Sequence, residues 1–528
     1  MLSHRVLSFW MVCSLALGAA HIPAGETGGE PGLTLQTRSR VAEPGRAGEY
    51  RIVHKTVRWD PRKTAVIICD MWARHWCDGA CRRGAELAPR IDAFVTAARQ
   101  RGALIVHAPS GGMEHYANHP ARLRAQQTPQ AADVPEGMAG WNNRIASEEG
   151  AVWPLDQSDG GCDDQPRCPN REMDVHQTAA IRIDDSDAIS DSGVECWNLF
   201  AQRGIDNVIL VGVHTNMCVI GRPFGLRNMV RVGKNVLLAR DLTDTMYNPR
   251  QAPLVSHVRG TEMIVEYIEK YVCPTIVSSS LLGGPALRFS EDKRPHVAII
   301  VSDDHYRADA KLPAFAQMLG DRYGLYCTVL HGEGEADIRG LDELQAANVL
   351  IVYVRRLALP ADQLAKIRAY VDAGKPLVAL RTASHAFSVR DRAPADRAQW
   401  PAFDKEVLGG NYHGHGSDKA GTDVTTAPDA ADHPIVAGVS PSSWHSSGSL
   451  YYVSPIDPSA KVVLTGSSEG KTEPLAWVRQ HRGGTVVYNA LGHWDDFEMP
   501  QFQAVLVNSV FFALGQPVPE PAKKIKTP

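Results

Sequence analysis

At 528 residues the chain is too long for one hydrophobic core, so we expect it to fold as two or three domains. Its composition, 44% hydrophobic and 22% charged, is that of an ordinary globular protein. A formal net charge of −4 argues against nucleic acid and against anionic membrane surfaces as partners.

The first twenty residues have the pattern of a secretory signal peptide. Arg5 precedes an apolar stretch from Val6 to Leu17, and small residues follow, with cleavage expected near Ala20. An uncleaved membrane anchor is the alternative, although the apolar run is short for a complete span. No other stretch is long and apolar enough to cross a bilayer. We therefore expect an exported protein, periplasmic or secreted, without a membrane span after signal cleavage.

Residues 50–275 alternate between apolar strand patterns and amphipathic helix patterns, after a flexible lead-in predicted at residues 21–49. The predicted strands are 64–69, 103–107, 179–183, 208–213 and 235–239, and the predicted helices are 85–101, 193–203 and 262–271. Residues 113–172 are irregular, and so long a stretch is expected to form a lid over the site. The alternation predicts a doubly wound α/β domain whose site lies at the carboxyl ends of the strands.

Cys218 is the candidate nucleophile of this domain. It follows a buried-strand pattern and the short polar turn that begins at His214, and the pattern of the segment after it predicts the start of a helix. The helix dipole at such a junction favours a thiolate, and free backbone N–H groups there can hold an oxyanion. A buried structural cysteine is the alternative. Asp70 and His107 also fall at predicted strand ends, which favours the nucleophile.

A second αβ series occupies residues 295–517, after a linker at residues 276–294 and before a tail at residues 518–528. Its predicted strands are 296–301, 326–330, 348–354, 376–380, 461–464 and 485–488, and its predicted helices are 312–319, 361–373 and 503–514. The chain is therefore expected to contain two doubly wound, Rossmann-like or flavodoxin-like, parallel-sheet α/β domains.

Nine cysteines follow the signal segment, and export would permit disulfides. An odd number leaves at least one cysteine unpaired, which suits a free Cys218. Cys162 and Cys168 bracket a polar loop and are expected to form a bridge. Cys77 and Cys81, four residues apart, would have poor disulfide geometry on a helix.

Three segments between Lys63 and Pro274 resemble the isochorismatase-like cysteine hydrolase superfamily. They are IICDMW with Asp70, GVHTNMCV with Cys218, and ARDLTDTMYNP after the next strand. The resemblance implies that Cys218 attacks an amide or similar carbonyl, that Asp70 accepts the thiol proton, and that a lysine completes the triad. It also implies a cis peptide bond just before the nucleophile turn.

The chain departs from that family pattern because no lysine lies between Asp70 and Cys218. Arg182 is the cation nearest to the family's lysine position, and we expect it to act as the electrostatic partner. An arginine can hold a thiolate by charge but is a poor proton shuttle, because its pKa exceeds about 12. The domain is thus expected either to use a modified mechanism or to have lost hydrolysis.

The substrate pocket of this domain is expected to involve the residues Trp72, His107, His214, Thr215 and Asn216. Core packing is the alternative role for the tryptophan, and a supporting or surface role is the alternative for the histidine of strand 103–107. Nicotinamidases of the superfamily bind a metal beside the site, but their Asp-x-His spacing is absent here. We therefore expect no metal and no cofactor.

Residues from about 294 to 517 resemble the trehalose-utilisation (ThuA-like) family, which has a class I glutamine-amidotransferase-like fold. The segments that carry this resemblance are YVDAGKPLVALRTASHAF, VLGGNYHGHG, DHPIVAGV, EPLAWV and GGTVVYNALGHW. Amidotransferases place a nucleophilic cysteine in the turn after a strand like PLVAL, and here that turn, residues 381–385, contains none. The sequence therefore argues against glutamine amidotransfer.

A set of histidines remains in this second domain, and the resemblance implies a cleft that acts on sugars or sugar-derived compounds. His385 and His493 are the expected substrate-binding members. His413 and His415 have a spacing that suits chelation in an extended segment. The alternative for the set is loop capping and hydrogen bonding, and the segment around His433 looks like a turn.

The sequence thus favours an exported cysteine hydrolase that acts on C–N, amide-like bonds of a small, sugar-derived molecule and is fused to a ThuA-like, carbohydrate-related domain. One alternative is a binding protein that holds a glycan or partner without turnover, which the missing lysine would favour. Another confines the chemistry to the C-terminal histidine cleft. A homo-oligomer is expected by analogy alone.

Overall fold

The computed structural model of the protein describes residues 32–45, 48–303, 305–333 and 337–520. The expected signal peptide lies outside these ranges, as does most of the expected C-terminal tail. Of the helices within them, none combines the length and the apolar character needed to cross a membrane.

The N-terminal domain is built on an eight-stranded sheet in the described residues, with strand order β2-β1-β10-β9-β8-β3-β5-β7. All pairs from β10 to β7 are parallel, whereas β1 pairs antiparallel with both β2 and β10. The strands of the domain are β1 (Leu33–Ala42), β2 (Tyr50–Trp59), β3 (Thr64–Cys69), β4 (Trp72–Arg74), β5 (Leu104–Ala108), β6 (Asp174–Gln177), β7 (Ala188–Ile189), β8 (Asn207–Val213), β9 (Asn235–Asp244) and β10 (Thr275–Ile276).

Helices cover both faces of this sheet, since separate apolar clusters lie on its two sides. They are α1 (Asp78–Gln100), α2 (Pro120–Gln127), α3 (Gly193–Arg203), α4 (Leu226–Arg231), α5 (His257–Tyr271) and α6 (Ser279–Leu282). The central strands β3 and β8 are buried along their whole length, as their unbroken apolar sequences require in a doubly covered parallel sheet. The predicted fold class is confirmed for this domain.

The expected lead-in and one predicted strand of this domain are wrong. The part of the lead-in from Leu33 to Ala42 is β1, because alternate side chains along it are buried against the sheet. The predicted strand at residues 179–183 is a turn in which the Ile181 N–H donates to the Thr178 carbonyl at 3.2 Å. The strand at this edge of the sheet is β7 instead, which is only two residues long and therefore too short to show a strand pattern in the sequence.

The irregular segment before β6 packs on the domain through buried polar contacts. Glu148 is fully buried and accepts from Arg227 at 2.7 Å and from the Tyr267 hydroxyl at 2.9 Å. The expected bridge between Cys162 and Cys168 is not formed, and both are free thiols. The polar loop between them folds back so that the Asp164 carboxylate contacts the Cys168 thiol.

The C-terminal domain contains a ten-stranded sheet within the described ranges, ordered β13-β12-β11-β14-β16-β24-β23-β22-β19-β20. The block from β12 to β24 is parallel, and both flanks are antiparallel. The strands are β11 (His296–Ser302), β12 (Tyr326–Glu333), β13 (Asp337–Ile338), β14 (Val349–Val354), β15 (Leu359–Pro360), β16 (Leu377–Leu380), β17 (Arg397–Ala398), β18 (Gly414–His415), β19 (Thr422–Thr426), β20 (Ser443–Ser446), β21 (Tyr451–Tyr452), β22 (Lys461–Ser468), β23 (Lys471–His481) and β24 (Gly484–Asn489).

Three helices accompany this sheet: α7 (Ala308–Tyr323), α8 (Ala361–Asp372) and α9 (Pro500–Ala513). One continuous apolar cluster joins them to the parallel block, whose strands β11, β14 and β16 are almost wholly buried. The predicted parallel α/β class is confirmed here too, whereas the long antiparallel hairpin of β22 and β23 was predicted only in its first four residues. Its polar and charged positions break the apolar run on which that prediction rested.

Ion pairs connect the two domains across the segment between β10 and β11. Arg294 donates to Glu262 of α5 at 2.5 Å, and Arg259 of α5 donates to Asp321 of α7 at 2.7 Å. These contacts link α5 to α7 and to the segment just before β11.

Candidate functional site

The carboxyl ends of β3, β5 and β8 lie side by side at one edge of the N-terminal sheet. Asp70 follows β3, Ser110 lies in the turn after β5, and Cys218 lies in the turn after β8. Gly212 allows β8 to run close to β3, because a Cβ there would clash with the Cys69 carbonyl and its φ is +101°. The topology therefore brings together the two residues that the sequence named as base and nucleophile.

Asp70 is a buried carboxylate at a left-handed backbone position, with φ 48°. The Ser110 hydroxyl donates to its Oδ1. Its Oδ2 accepts no hydrogen bond from the described residues, and the Arg222 guanidinium lies 3.8 Å from it. Burial raises the pKa of Asp70, while Arg222 and the neighbouring Cys218 thiol oppose that rise. One carboxylate oxygen is thus left without a donor of its own.

Cys218 lies in a single wide helical turn, Thr215–Val219, that follows a cis peptide bond between Val213 and His214. The N–H groups on either side of it, those of Met217 and Val219, both donate to the His214 carbonyl, at 3.0 and 3.1 Å. Burial and the Asp70 carboxylate raise the pKa of Cys218 to about 12, and Arg222 opposes that shift. The cysteine is therefore a neutral thiol at rest.

Arg222, and not Arg182, is the cation of this site. It lies one helical turn after the nucleophile, and its backbone N–H donates to the Cys218 carbonyl at 3.0 Å. Its guanidinium lies 5.2 Å from the Trp141 ring, so the irregular segment covers it. Arg182 is exposed, and its backbone N–H donates to Asp92 of α1 at 2.9 Å. The expected role of Arg182 is wrong because residues 179–183 form a surface turn rather than a strand.

Three rings lie together near the ends of β3 and β8. Trp72 stacks on His75 at 4.8 Å between ring centroids and lies 5.2 Å from His214. Burial lowers the pKa of His75 to about 4 and that of His214 to about 3, so both are neutral near pH 7. The indole Nε1 of Trp72 is buried and has no hydrogen-bond partner among the described residues. Of the expected pocket residues, this tryptophan therefore has a donor left for a ligand.

The other expected pocket residues serve the scaffold. His107 is fully buried, and its ring nitrogens contact Gln177 at 2.7 Å and Asp187 at 2.9 Å. Thr215 contacts the Thr243 hydroxyl at 2.6 Å. None of these polar groups is left for a substrate.

Asn216 also belongs to the scaffold. Its amide donates to the Met246 carbonyl at 2.9 Å and accepts from the Met246 N–H at 3.0 Å. This pair of hydrogen bonds fixes the nucleophile turn to the loop after β9.

Sequence reasoning missed Ser110 and Arg222, although each left a signal. Ser110 lies in the turn after a predicted strand that neighbours β3, where carboxyl ends converge. Arg222 is four residues after Cys218 in a segment predicted to be helical, and residues so spaced lie on one helix face. In the family's chain order the cation precedes the nucleophile, whereas Arg222 follows it.

The C-terminal domain has a second cluster of polar and aromatic side chains, organised around Arg381. This residue follows β16 at the strand-to-helix elbow, with φ 39° and its side chain buried. Its guanidinium lies 4.3 Å from the Tyr306 ring centroid and 4.6 Å from that of Tyr451. It donates to the Ala490 carbonyl at 3.0 Å and to the Ser449 hydroxyl at 3.3 Å. No carboxylate pairs with it among the described residues.

His385 and His493, the two histidines expected to bind substrate, both lie near Arg381. His385 stacks on Tyr412 at 4.7 Å, and burial together with neighbouring arginines lowers its pKa to about 3. His493 lies 3.7 Å from Trp494 and 5.9 Å from Tyr306. Burial, and then Arg381, lowers the pKa of His493. Both imidazoles are therefore available as neutral hydrogen-bonding groups.

The remaining histidines of this domain have structural contacts. The Nδ1 atoms of His413 and His415 lie 2.8 and 2.9 Å from the carbonyls of Asn411 and Gly416. His433 caps a short helical turn by accepting from the Ile435 N–H at 3.2 Å. In the described ranges the histidines form no group that could chelate a metal, so the chelating alternative for the His-x-His segment receives no support.

A family model matches part of the chain that lies in the C-terminal domain. Residues 297–513 match the ThuA family model, described as trehalose utilisation. A ThuA-like protein from Parabacteroides merdae is 16% identical, covering 44% of this chain and 94% of its own, with a TM-score of 0.36. No curated protein sequence matches the chain.

Two other solved structures that resemble the chain are named as an isochorismatase family protein and as a nicotinamidase. An isochorismatase family protein from Burkholderia thailandensis is 13% identical over 42% of this chain and 94% of its own, with a TM-score of 0.24. A nicotinamidase from Acinetobacter baumanii is 16% identical over 42% and 99%, with a TM-score of 0.22. These similarities concern fold and assign no activity. Both expected resemblances are thus found: the C-terminal domain matches ThuA, and isochorismatase-like proteins are among the chain's structural neighbours.

Proposed function

We propose that the N-terminal domain is a cysteine hydrolase that cleaves an amide-like C–N bond of a small molecule. The observation that carries the proposal is the convergence of the Cys218 thiol, the Asp70 carboxylate and the Arg222 guanidinium at one sheet edge. A purely structural cysteine would not require a buried carboxylate and a guanidinium beside it. Such a group is expensive to bury, and function is the usual compensation.

In the proposed reaction Cys218 Sγ attacks the substrate carbonyl carbon while its proton passes to Oδ2 of Asp70. The Cys218 N–H would donate to the developing oxyanion. Collapse of the tetrahedral adduct breaks the C–N bond, and Asp70 returns the proton to the leaving amine. Water then hydrolyses the thioester, giving a carboxylic acid and the free thiol.

Arg222 supplies the positive charge that a lysine provides in the family pattern. Its charge stabilises both the Asp70 carboxylate and the thiolate that forms as the proton leaves. It remains charged throughout, so the only proton carrier in the proposal is Asp70. The departure from the family pattern thus removes a proton shuttle but keeps the positive charge.

Ammonia release from a panel of small carboxamides tests this proposal. Wild type is expected to turn over at least one amide, Cys218→Ala to release none, and Cys273→Ser to match wild type because Cys273 is buried at the end of α5. A thioester mass shift on the Cys218 peptide is expected with slow substrates. Hydrolysis that persists in Cys218→Ala would refute the proposal. Ligand binding without any release would instead support the binding-protein alternative.

For the C-terminal domain we propose a binding cleft for a sugar-derived ligand. Its supporting observation is the cluster of rings around Arg381, with Trp494 still 37% exposed beside Tyr306. Aromatic faces and neutral imidazoles suit the apolar faces and hydroxyls of a sugar. Trp494→Ala is expected to abolish a fluorescence response to a panel of disaccharides, with the buried Trp477→Phe as the matched control. A response retained in Trp494→Ala would contradict this assignment.

A further inference from the structure

Three free cysteines and one aspartate meet beside the start of α1, away from the catalytic cysteine. They are Cys77, Cys162, Asp164 and Cys168, and the ligating atoms all lie within 4.8 Å of one another. The three cysteines are buried, at 0%, 1% and 7% exposure. Among the described residues this is the one group of its kind. The mechanism proposed above uses none of its members.

The spacing within the group is compatible with a tetrahedral site, because all four ligating atoms lie within 4.8 Å of one another. A zinc ion with Zn–S bonds of about 2.3 Å places neighbouring ligand atoms about 3.8 Å apart. Oδ2 of Asp164 lies 3.5 Å from the Cys77 sulfur and 3.2 Å from the Cys168 sulfur. Four donors of the thiolate and carboxylate type, arranged so, fit zinc better than magnesium or calcium, which prefer six or more oxygens.

Backbone N–H groups at the start of α1 already point at these atoms. Asp78 N–H donates to the Cys168 sulfur at 3.4 Å, and Gly79 N–H donates to Asp164 Oδ2 at 2.6 Å. Such outer donors stabilise the anionic form of a metal ligand and orient it. A disulfide or a set of neutral thiols would not need them.

Neighbouring arginines offset part of the charge that the site would carry. Three thiolates, one carboxylate and a zinc ion sum to −2. Arg82 contacts Asp164 Oδ1 at 2.7 Å, and Arg83 contacts Asp163 at 2.7 Å. The remaining excess is shared with the N–H donors at the helix start.

We propose that Cys77, Cys162, Cys168 and Asp164 bind a structural zinc ion, in contrast to the expectation of no metal from the sequence. The ion replaces three thiol protons, which pass to solvent. It ties the irregular segment to α1 and to Met246, which packs on the same cysteines. Met246 is also the partner of Asn216 in the nucleophile turn, so the zinc supports one wall of the candidate active site.

Metal analysis of the full chain tests this inference. Protein purified without chelator from zinc-supplemented medium is expected to hold one equivalent of zinc. Cys168→Ser and Asp164→Asn are expected to lose most of it. Cys81→Ser is the matched control, because Cys81 lies only one helical turn from Cys77 but is not part of the group. Its thiol instead donates a hydrogen bond to the His75 carbonyl at 3.3 Å. Zinc retained by both site variants would overturn the assignment.

A second readout covers the case in which a variant fails to fold. Wild-type protein stripped of metal under reducing conditions is expected to take up Co²⁺ and to show cobalt–thiolate charge-transfer absorption in the near ultraviolet. Substoichiometric zinc together with no such band would overturn the inference. A Cys162–Cys168 disulfide found by non-reducing peptide mapping of the native protein would do the same. Neither readout depends on hydrolase activity, so a failed amide screen leaves this test intact.

Discussion

Asp70→Asn should make Cys218 more reactive towards iodoacetamide while it abolishes hydrolysis. The Asp70 carboxylate and burial together raise the pKa of Cys218 to about 12. A thiol with that pKa is only about 0.01% thiolate at pH 8, so alkylation of the wild type should be slow. Removing the negative charge removes one cause of the raised pKa and leaves Arg222 without its carboxylate partner.

The size of the effect follows from electrostatics. A unit charge about 4 Å away is worth about 4 kcal/mol at an effective dielectric constant of 20. That would lower the pKa of Cys218 by about three units, since one unit is about 1.4 kcal/mol. A fall of that size raises the thiolate fraction at pH 8 by about three orders of magnitude. Because a thiolate with a lower pKa is a weaker nucleophile, we expect alkylation to be at least about tenfold faster at pH 8.

The assay follows the modified Cys218 peptide by mass spectrometry over time and pH, because Cys81 and Cys327 are also partly exposed and would confuse a bulk thiol assay. Arg222→Gln is the opposing control and should slow alkylation, since it removes the charge that lowers the pKa of Cys218. An Asp70→Asn variant whose Cys218 reacts at the wild-type rate or more slowly would refute this electrostatic account.

Two further predictions concern stability. Glu148→Gln should lower the free energy of unfolding of the N-terminal domain, measured in urea, by about 3–5 kcal/mol, because it leaves buried Arg227 without its counter-charge. The exposed ion pair of Lys311 with Glu498 provides the control. An equal loss of stability from Glu498→Gln would contradict the reasoning. Burial raises the pKa of Asp404 to about 6 in the folded state, compared with about 4 in the unfolded state. The contribution of this carboxyl group to the free energy of unfolding is therefore fully present below about pH 4 and is lost as pH rises through about 6. Asp404→Asn should therefore raise the melting temperature at pH 7.5 and flatten its dependence between pH 4 and 7, and an unchanged pH profile would count against this.

Local patterns in the sequence were enough to predict the parallel part of both sheets and to place Asp70 and Cys218 at strand ends. Strands β3 and β8 read clearly because each is an unbroken apolar run, as burial on both faces requires. Because neighbouring parallel strands run in the same direction, their carboxyl ends lie at the same edge of the sheet, independent of the conformation of the connecting segments. His385 and His493 follow the same rule at the ends of β16 and β24.

Tertiary structure alone decided which cation joins the pair and which cysteines meet. Arg182 and Arg222 are equally plausible by type, and only the path of the chain buries one and exposes the other. Cys77 meets Cys162 and Cys168 because an irregular segment folds back onto the start of α1, and no periodic pattern encodes such a return. Periodicity specifies the elements that repeat along a strand or helix, whereas a contact between a loop and a distant helix depends on the packing of the whole domain.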